Sequence, residues 1–328
     1  MGAAWLWKIA EGGDTLRLDL TASNRASAIT FRIRDGVSVD GASGTSSTTS
    51  TWDTPDRAMS ASDKVFAGSI PKVYDDYLVP LIFAGFAEDL AQKVASFSPA
   101  TVLETAAGTG VVARALAAKL AADARYVVTD LNRPMLDHAA QRQGGDRRIT
   151  WQQADALALP FPDAQFDVVC CQFGVMFFPD RAKGYLEAKR ILKPGGTFVF
   201  NVWDRIDENV FAHEVTSALA EVFPDDPPRF LARTPHGYHN ERLIEDELRL
   251  AGFSRVAIEK RTEQSRAPSP HHPAIAYCQG TPLRNEIEAR GADGLQAATE
   301  HAAAAITRLH GSGEVTAKIQ GLVVMATK

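Results

Sequence analysis

The chain has 328 residues, 45% of them hydrophobic, enough for one large α/β domain with additions or for two small domains. A formal net charge of −5 with no dense Lys/Arg block gives no global field for holding nucleic acid, and no apolar run is long enough to span a bilayer. Three cysteines, two of them adjacent (Cys170 and Cys171), cannot form a disulfide framework, so a cytoplasmic protein is expected.

Residues 1–58 differ in character from the rest. Residues 28–39 alternate as a β-hairpin does, and the Gly/Ser/Thr tract 41–51 has almost nothing to bury, which predicts a disordered linker. This leader is either a small accessory element or, the reading preferred here, sequence upstream of a natural start at Met59. From there to 328 runs the expected main domain. Aromatic residues at helix-compatible spacing over 66–83 and an amphipathic stretch over 86–95 predict an N-terminal helical segment, about 62–97, leading into the first strand. Tyr74 and Tyr77 share a helix face there; they are core residues or parts of a lid over a ligand.

Residues 101–113 read as strand, tight turn and helix N-terminus. Gly108, Gly110 and Ala113 match the spacing of a dinucleotide-binding turn, which alone is a weak signal. Glu104 at the strand end decides more, because a carboxylate would repel a pyrophosphate held on the turn. It suits a ligand that is cationic there and carries no phosphate, as S-adenosylmethionine does with its α-amino and sulfonium groups. The plain alternative is that Glu104 only caps the turn. After a helix predicted over 112–122, the buried strand 125–130 ends in Asp130, placed to accept from two ribose hydroxyls or to cap the helix containing Met135. A third strand, near 150–156, ends in Asp155, where a carboxylate and the N–H of Ala156 can meet an adenine edge. The apolar strand 165–173 follows, its Cys170 and Cys171 pointing to opposite faces, and its tip belongs in the ligand cleft. A helix over 181–192 stops at Lys193-Pro194-Gly195-Gly196, a turn signal before a fifth strand over 197–203 that ends in Trp203.

Glu104 to Gly110, Asp130, Asp155-Ala156, the Phe166-Asp167-Val168-Val169 strand and Leu192 to Gly196 stand in one order across residues 65–205. In this the chain resembles the class I S-adenosylmethionine-dependent methyltransferases, in the small-molecule branch that includes the quinone-biosynthesis enzymes. The resemblance implies a Rossmann-like, doubly wound α/β sheet of seven strands, mostly parallel with an antiparallel last strand, and helices on both faces. It implies that Glu104 handles the methionine amino group, directly or through water. The backbone at Ala106, Gly108, Thr109 and Gly110 would pack on the methionyl and ribose portion, and Asp130 would bind the ribose. Leu131 and Met135 would pack on adenine, Asp155 and Ala156 would read its edge, and Gln172, Phe173 and Val175 would line the cleft near the methyl. Ala106 departs from the family's first turn glycine, and alanine penalises positive φ.

Further on, a helix over 243–251, strands over 253–259 and 315–325, and a helical insertion over 268–313 are expected, with helices near 282–290 and 295–309. The insertion and residues 223–240 should carry specificity for a small-molecule substrate. His236, Tyr238 and His239, with Trp203, are candidate substrate contacts; a turn with solvent-exposed histidines is the alternative. His271-His272 lacks companions at metal spacing, so no metal is expected. Competing readings are a nicotinamide-dependent oxidoreductase, which leaves Glu104 and Asp155 unexplained, and a non-catalytic cofactor-binding protein, to which Ala106 lends weight.

Overall fold

Alternation along short apolar strands builds the fold. Val102, Val168, Cys170 and Val199 enter one core with Leu90 and Val94 of the helix Ala84–Ser96, while Leu103, Val169, Cys171, Phe198 and Phe200 enter a second core on the other face. The strands that carry these residues are buried on both sides, as in α/β sheets, and the adjacent cysteines are separated by the sheet.

The computed structural model describes residues 9–10, 15–22, 25–32 and 70–328 except 292–293, and the chain divides into two units, Met1–Pro55 and Asp56–Lys328. In the first unit β1 (Ile9–Ala10), β2 (Thr15–Ala22) and β3 (Arg25–Arg32) form an antiparallel sheet in that order. Residues 28–32 therefore pair backward, Ala28 with Asp19 and Arg32 with Thr15, rather than within the hairpin expected over 28–39. The stricter apolar–polar alternation of Leu16, Leu18 and Leu20 is the signal that prevails. Residues 33–39, the tract 41–51 and the expected start at Met59 lie outside the described residues.

The second unit carries β4 (Thr101–Glu104), β5 (Arg125–Asp130), β6 (Ile149–Gln153), β7 (Phe166–Gln172), β8 (Leu192–Trp203), β9 (Arg255–Ala267) and β10 (Val315–Thr327) in one seven-stranded sheet. The order is β6-β5-β4-β7-β8-β10-β9; β4 to β8 pair in parallel and β10 runs antiparallel to both β8 and β9. The segment Lys193 to Gly196, expected as a turn before the strand, is an irregular start of β8. Phe166 pairs with Leu192 and Val168 already with Thr197, and Gly195 takes φ 77° in the bulge. Asp167 pins this end of the sheet, accepting from the Thr101 N–H at 2.8 Å and from Lys193 Nζ at 2.7 Å.

The helix expected over 112–122 spans only Val111–Ala117. The Arg148 guanidinium takes up the carbonyls of Ala117, Leu120 and Ala121, which replaces further helical bonds. The N-terminal segment is the helix Ile70–Val73, a π-helical stretch Tyr74–Phe83, then Ala84–Ser96. Pro80, inside the π-helical stretch, has no N–H to give, and the Ala84 N–H reaches the Val79 carbonyl. The insertion holds three helices, His271–Gln279, Leu283–Glu288 and Gly294–His310, not two. Pro270 and Pro273 disguise the first of them, since proline is tolerated in a helix's opening turn. No described helix is long and apolar enough to cross a membrane.

A buried polar relay fixes the chain between the helices Arg181–Ile191 and Glu241–Leu250. The Tyr185 and Tyr238 hydroxyls are 2.8 Å apart, Tyr238 donates to Glu247, and Arg181 bonds Glu247 while its guanidinium lies 4.1 Å from the Tyr238 ring centre. Tyr238→Phe strips the fully buried Tyr185 hydroxyl of this partner and leaves Glu247 with Arg181. Urea unfolding of that variant should show a loss of about 1–3 kcal/mol.

Candidate cofactor and acceptor site

The site lies where the parallel strands end. Beyond β4 the chain turns through Ala106 (φ 52°), Gly108 (φ 55°) and Gly110 (φ 75°) into the helix Val111–Ala117. A Cβ on Gly110 would come within 2.8 Å of the Ala139 Cβ, whereas one on Gly108 would meet nothing, because that residue faces open space. Ala106 thus adopts a conformation that favours glycine. Its methyl group fills the space opposite Gly174, where a Cβ would stand 2.6 Å from that of Ala106 and 2.7 Å from Cys171 Sγ. The two loops share room for one methyl group.

Three carboxyl groups follow the strand ends. Glu104 is buried; one oxygen takes the Tyr126 hydroxyl bond and the other, Oε1, has no partner among the described residues. Burial pushes its carboxyl up to about 8, with the Tyr126 bond pulling down and the Asp130 charge pushing up. Asp130 accepts from the Gly108 N–H at 2.8 Å and the Asn132 N–H at 2.7 Å, so it clamps the glycine turn to the end of β5. Its carboxyl is also raised, by burial, against the pull of those backbone bonds. Asp155 lies exposed two residues beyond β6, not at the strand end, and accepts from the Leu157 N–H at 2.9 Å.

Two cavities open at these ends. The first, about 890 Å³ counted to its open mouth, is lined by Ala106, Gly108, Asp130, Leu131, Met135, Asp155, Ala156, Gln172 and Phe173. Of the expected cofactor residues, Glu104, Thr109, Gly110 and Val175 are not on its wall: Glu104 and Thr109 are buried, Gly110 caps the helix, and Val175 belongs to the core. Asn132, Leu157, Phe177 and Phe178 join the wall although no sequence motif marked them. Gln172 donates to the Phe83 carbonyl at 3.3 Å, and its buried Oε1 is unpartnered among the described residues. No lysine, arginine or histidine is among the described residues on this wall.

The second cavity, about 550 Å³, is aromatic: Phe83, Phe173, Phe177, Trp203, Phe230 and Tyr277 line it, with His236 among the few polar groups. Tyr74, Phe173 and Phe177 face both cavities and form the partition. Phe173 holds a positive φ of 48° because its N–H is bound by the carbonyl and the Oδ1 of Asn201, and its ring lies flat on Trp203 with centres 3.7 Å apart. Next to Tyr74, the buried Asp75 carboxylate meets Arg114 at 3.2 Å, Arg142 at 3.1 Å and His138 at 3.2 Å, which ties the π-helical stretch to two helices of the sheet layer.

Of the candidate substrate contacts, Tyr74, Trp203 and His236 reach the aromatic cavity and Tyr77, Tyr238 and His239 do not. Tyr77 packs on the His272 ring at 4.8 Å, Tyr238 is spent in its relay, and His239 Nδ1 bonds the His236 carbonyl at 2.8 Å. The exposed-turn alternative fails at His236, which is 5% exposed. Phe83, Phe230 and Tyr277 come from three separate elements, so only the tertiary structure brings them together.

Residues 103–200 match the model of a family described as a methyltransferase domain. A demethylmenaquinone methyltransferase of Clavibacter sepedonicus is 31% identical over 174 residues, 50% of this chain and 70% of that protein. A ubiquinone/menaquinone biosynthesis C-methyltransferase of Caulobacter vibrioides is 30% identical over 175 residues, 48% of this chain and 69% of that protein. A demethylmenaquinone methyltransferase of Deinococcus radiodurans is 40% identical over 116 residues, of which this chain spans about half the length, 48%.

The shared space at Ala106 and Gly174 has a measurable consequence. Gly174→Ala should cost about 1–3 kcal/mol by overpacking, and adding Ala106→Gly to the same chain should recover part of that loss in a urea double-mutant cycle. Strictly additive effects would show that the two loops do not share the space.

Proposed function

The chain belongs to the class I S-adenosylmethionine-dependent methyltransferase family, and we propose that its acceptor is a neutral, largely apolar small molecule held in the aromatic cavity. The observation that carries this reading is the sign of charge in the two cavities. The first presents Asp130 and Asp155 with no cation among its described lining residues, which suits an adenosyl ligand bearing an ammonium and a sulfonium and repels a pyrophosphate. The unpartnered Oε1 atoms of Glu104 and Gln172, and the open space at Gly108, are the vacant bonding capacity such a ligand would meet. A nicotinamide dinucleotide would bring a pyrophosphate to a cleft that offers Asp130 and Asp155 and no described cation.

S-adenosylmethionine, when bound, supplies an electrophilic methyl group for in-line displacement by the acceptor. The chain's own contribution is positioning and exclusion of water. Asp130 has acceptor capacity left for ribose hydroxyls after its two backbone bonds, Leu131 and Met135 offer apolar surface for adenine, and Asp155 with Ala156 meets the adenine edge. Glu104, behind the turn, serves the amino group through its free oxygen, by way of water where direct contact is blocked. Thr109, Gly110 and Val175 act indirectly, by shaping the turn and the cleft floor. Tyr74, Phe173 and Phe177 stand between donor and acceptor spaces and keep bulk water from the reacting methyl.

No acid, lysine or arginine is among the described residues that line the acceptor cavity, which disfavours amino-acid and phosphorylated acceptors. Flat quinone-type rings, of the kind the relatives' names mention, suit its aromatic walls. The three described cysteines are all free and buried, which supports a reducing, cytoplasmic setting.

Thermal unfolding tests the cofactor reading. S-adenosylmethionine and S-adenosylhomocysteine at about 100 times their dissociation constants should each add about 2.7 kcal/mol, NAD should add nothing, and Asp130→Ala should remove the effect. Stabilisation by NAD alone would overturn it. Affinity should also depend on pH. Below about 8 the free Glu104 carboxyl keeps its proton, and a cationic partner favours the carboxylate, so binding releases a proton. Calorimetric titration should therefore show affinity rising from pH 6 to 7.5, by at most about tenfold per unit, and Glu104→Gln should flatten that rise.

A further inference from the structure

We propose that His236 binds the acceptor, its Nε2 accepting a hydrogen bond from a hydroxyl group on it. This rests on the methyl-transfer reading and goes beyond it by assigning a recognition group and a required functional group. His236 Nδ1 lies 2.8 Å from the Asp204 carbonyl, which can only accept, so Nδ1 carries the hydrogen and Nε2 of the neutral ring holds a lone pair. Burial pushes the imidazole down to about 4, which keeps it neutral at physiological pH. The anchor is itself fixed: Asn209 Nδ2 bonds the same carbonyl at 3.3 Å, and Gln320 Nε2 bonds the Asp204 carboxylate at 2.7 Å. The ring is thus held in one tautomer just past the end of β8, beside the middle of β10.

The other polar groups on the wall narrow the choice. Asn209 also donates to the Arg205 and Gln320 carbonyls and accepts from the Gln320 N–H. Thr281 donates to the Tyr277 carbonyl and accepts from the Leu283 N–H. Both are satisfied within the protein. His236 Nε2 is left without a partner among the described residues, on a ring that lines the cavity and is 5% exposed. Tyr277, 3% exposed on the same wall, likewise has no partner for its hydroxyl among the described residues. A ligand that donates one hydroxyl hydrogen to His236 and offers a second oxygen to Tyr277 satisfies both groups; a purely hydrocarbon ligand satisfies neither.

Binding titrations on the full chain saturated with S-adenosylhomocysteine, using 2-naphthol and naphthalene as probes, test this. Wild type should bind 2-naphthol about tenfold more tightly than naphthalene, the value of one buried hydrogen bond. His236→Phe should lose that preference and bind both at the naphthalene level, while His236→Gln, which keeps an acceptor oxygen, should retain part of it. His236→Leu gives the same comparison should the phenylalanine variant fail to fold. An unchanged preference in the apolar variants, or no preference in wild type, overturns the assignment. Thermal stabilisation by S-adenosylhomocysteine on the same samples is a separate readout: its absence in wild type overturns the methyltransferase reading and leaves the naphthol comparison to decide His236.

Discussion

A carboxyl group buried at the end of β4 with one oxygen unsatisfied is the constraint around which the site is arranged. Leaving a buried polar atom without a partner costs free energy that folding alone does not return. Glu104 carries that cost beside a second buried acid, Asp130, and the cleft beyond them is walled by no described cation. Such an arrangement is relieved by a positively charged ligand and aggravated by a phosphate. The glycine turn, its clamp to Asp130 and the helix behind it keep the acids in place, so the same backbone that makes the turn also sets the ligand's charge.

The aromatic cavity follows a different rule. There Asn209 and Thr281 are paired off within the protein, and among the described residues aromatic surface dominates the wall, with the imidazole of His236 and the phenol of Tyr277 beside it. The π-helical stretch beside this space is held by an ion cluster at Asp75, by β9, whose Ser265 Oγ donates to the Leu81 carbonyl, and by the insertion, whose His272 donates to that of Tyr77.

Much of the sheet was legible in the sequence, because each strand carries its own signal. Glu104 and Asp130 end apolar runs, Cys170 and Cys171 alternate between faces, and the strand order follows the family pattern once those motifs stand in line. Much of the wall of the first cavity was legible for the same reason, being built from residues at or next to those strand ends. The aromatic cavity was not. Nothing local distinguishes Phe83, Phe230 or Tyr277 from ordinary core residues, and the turn around His236 reads as polar. What buries it is Asp204 and Tyr185, more than thirty positions away along the chain. Lys193 to Gly196 misled in the opposite sense, since proline and glycine signal a break and the sheet absorbs them as a bulge. Glu104 was recognised by its position at the strand end, but its burial behind the turn depends on how the turn closes.

Tyr74, Phe173 and Phe177 each belong to the walls of both cavities. The Phe173 ring is already stacked on Trp203 with centres 3.7 Å apart, so this wall is built in advance rather than assembled around a guest. A side chain that serves two chambers cannot be enlarged or trimmed for one without reshaping the other, which ties the dimensions of the two spaces together.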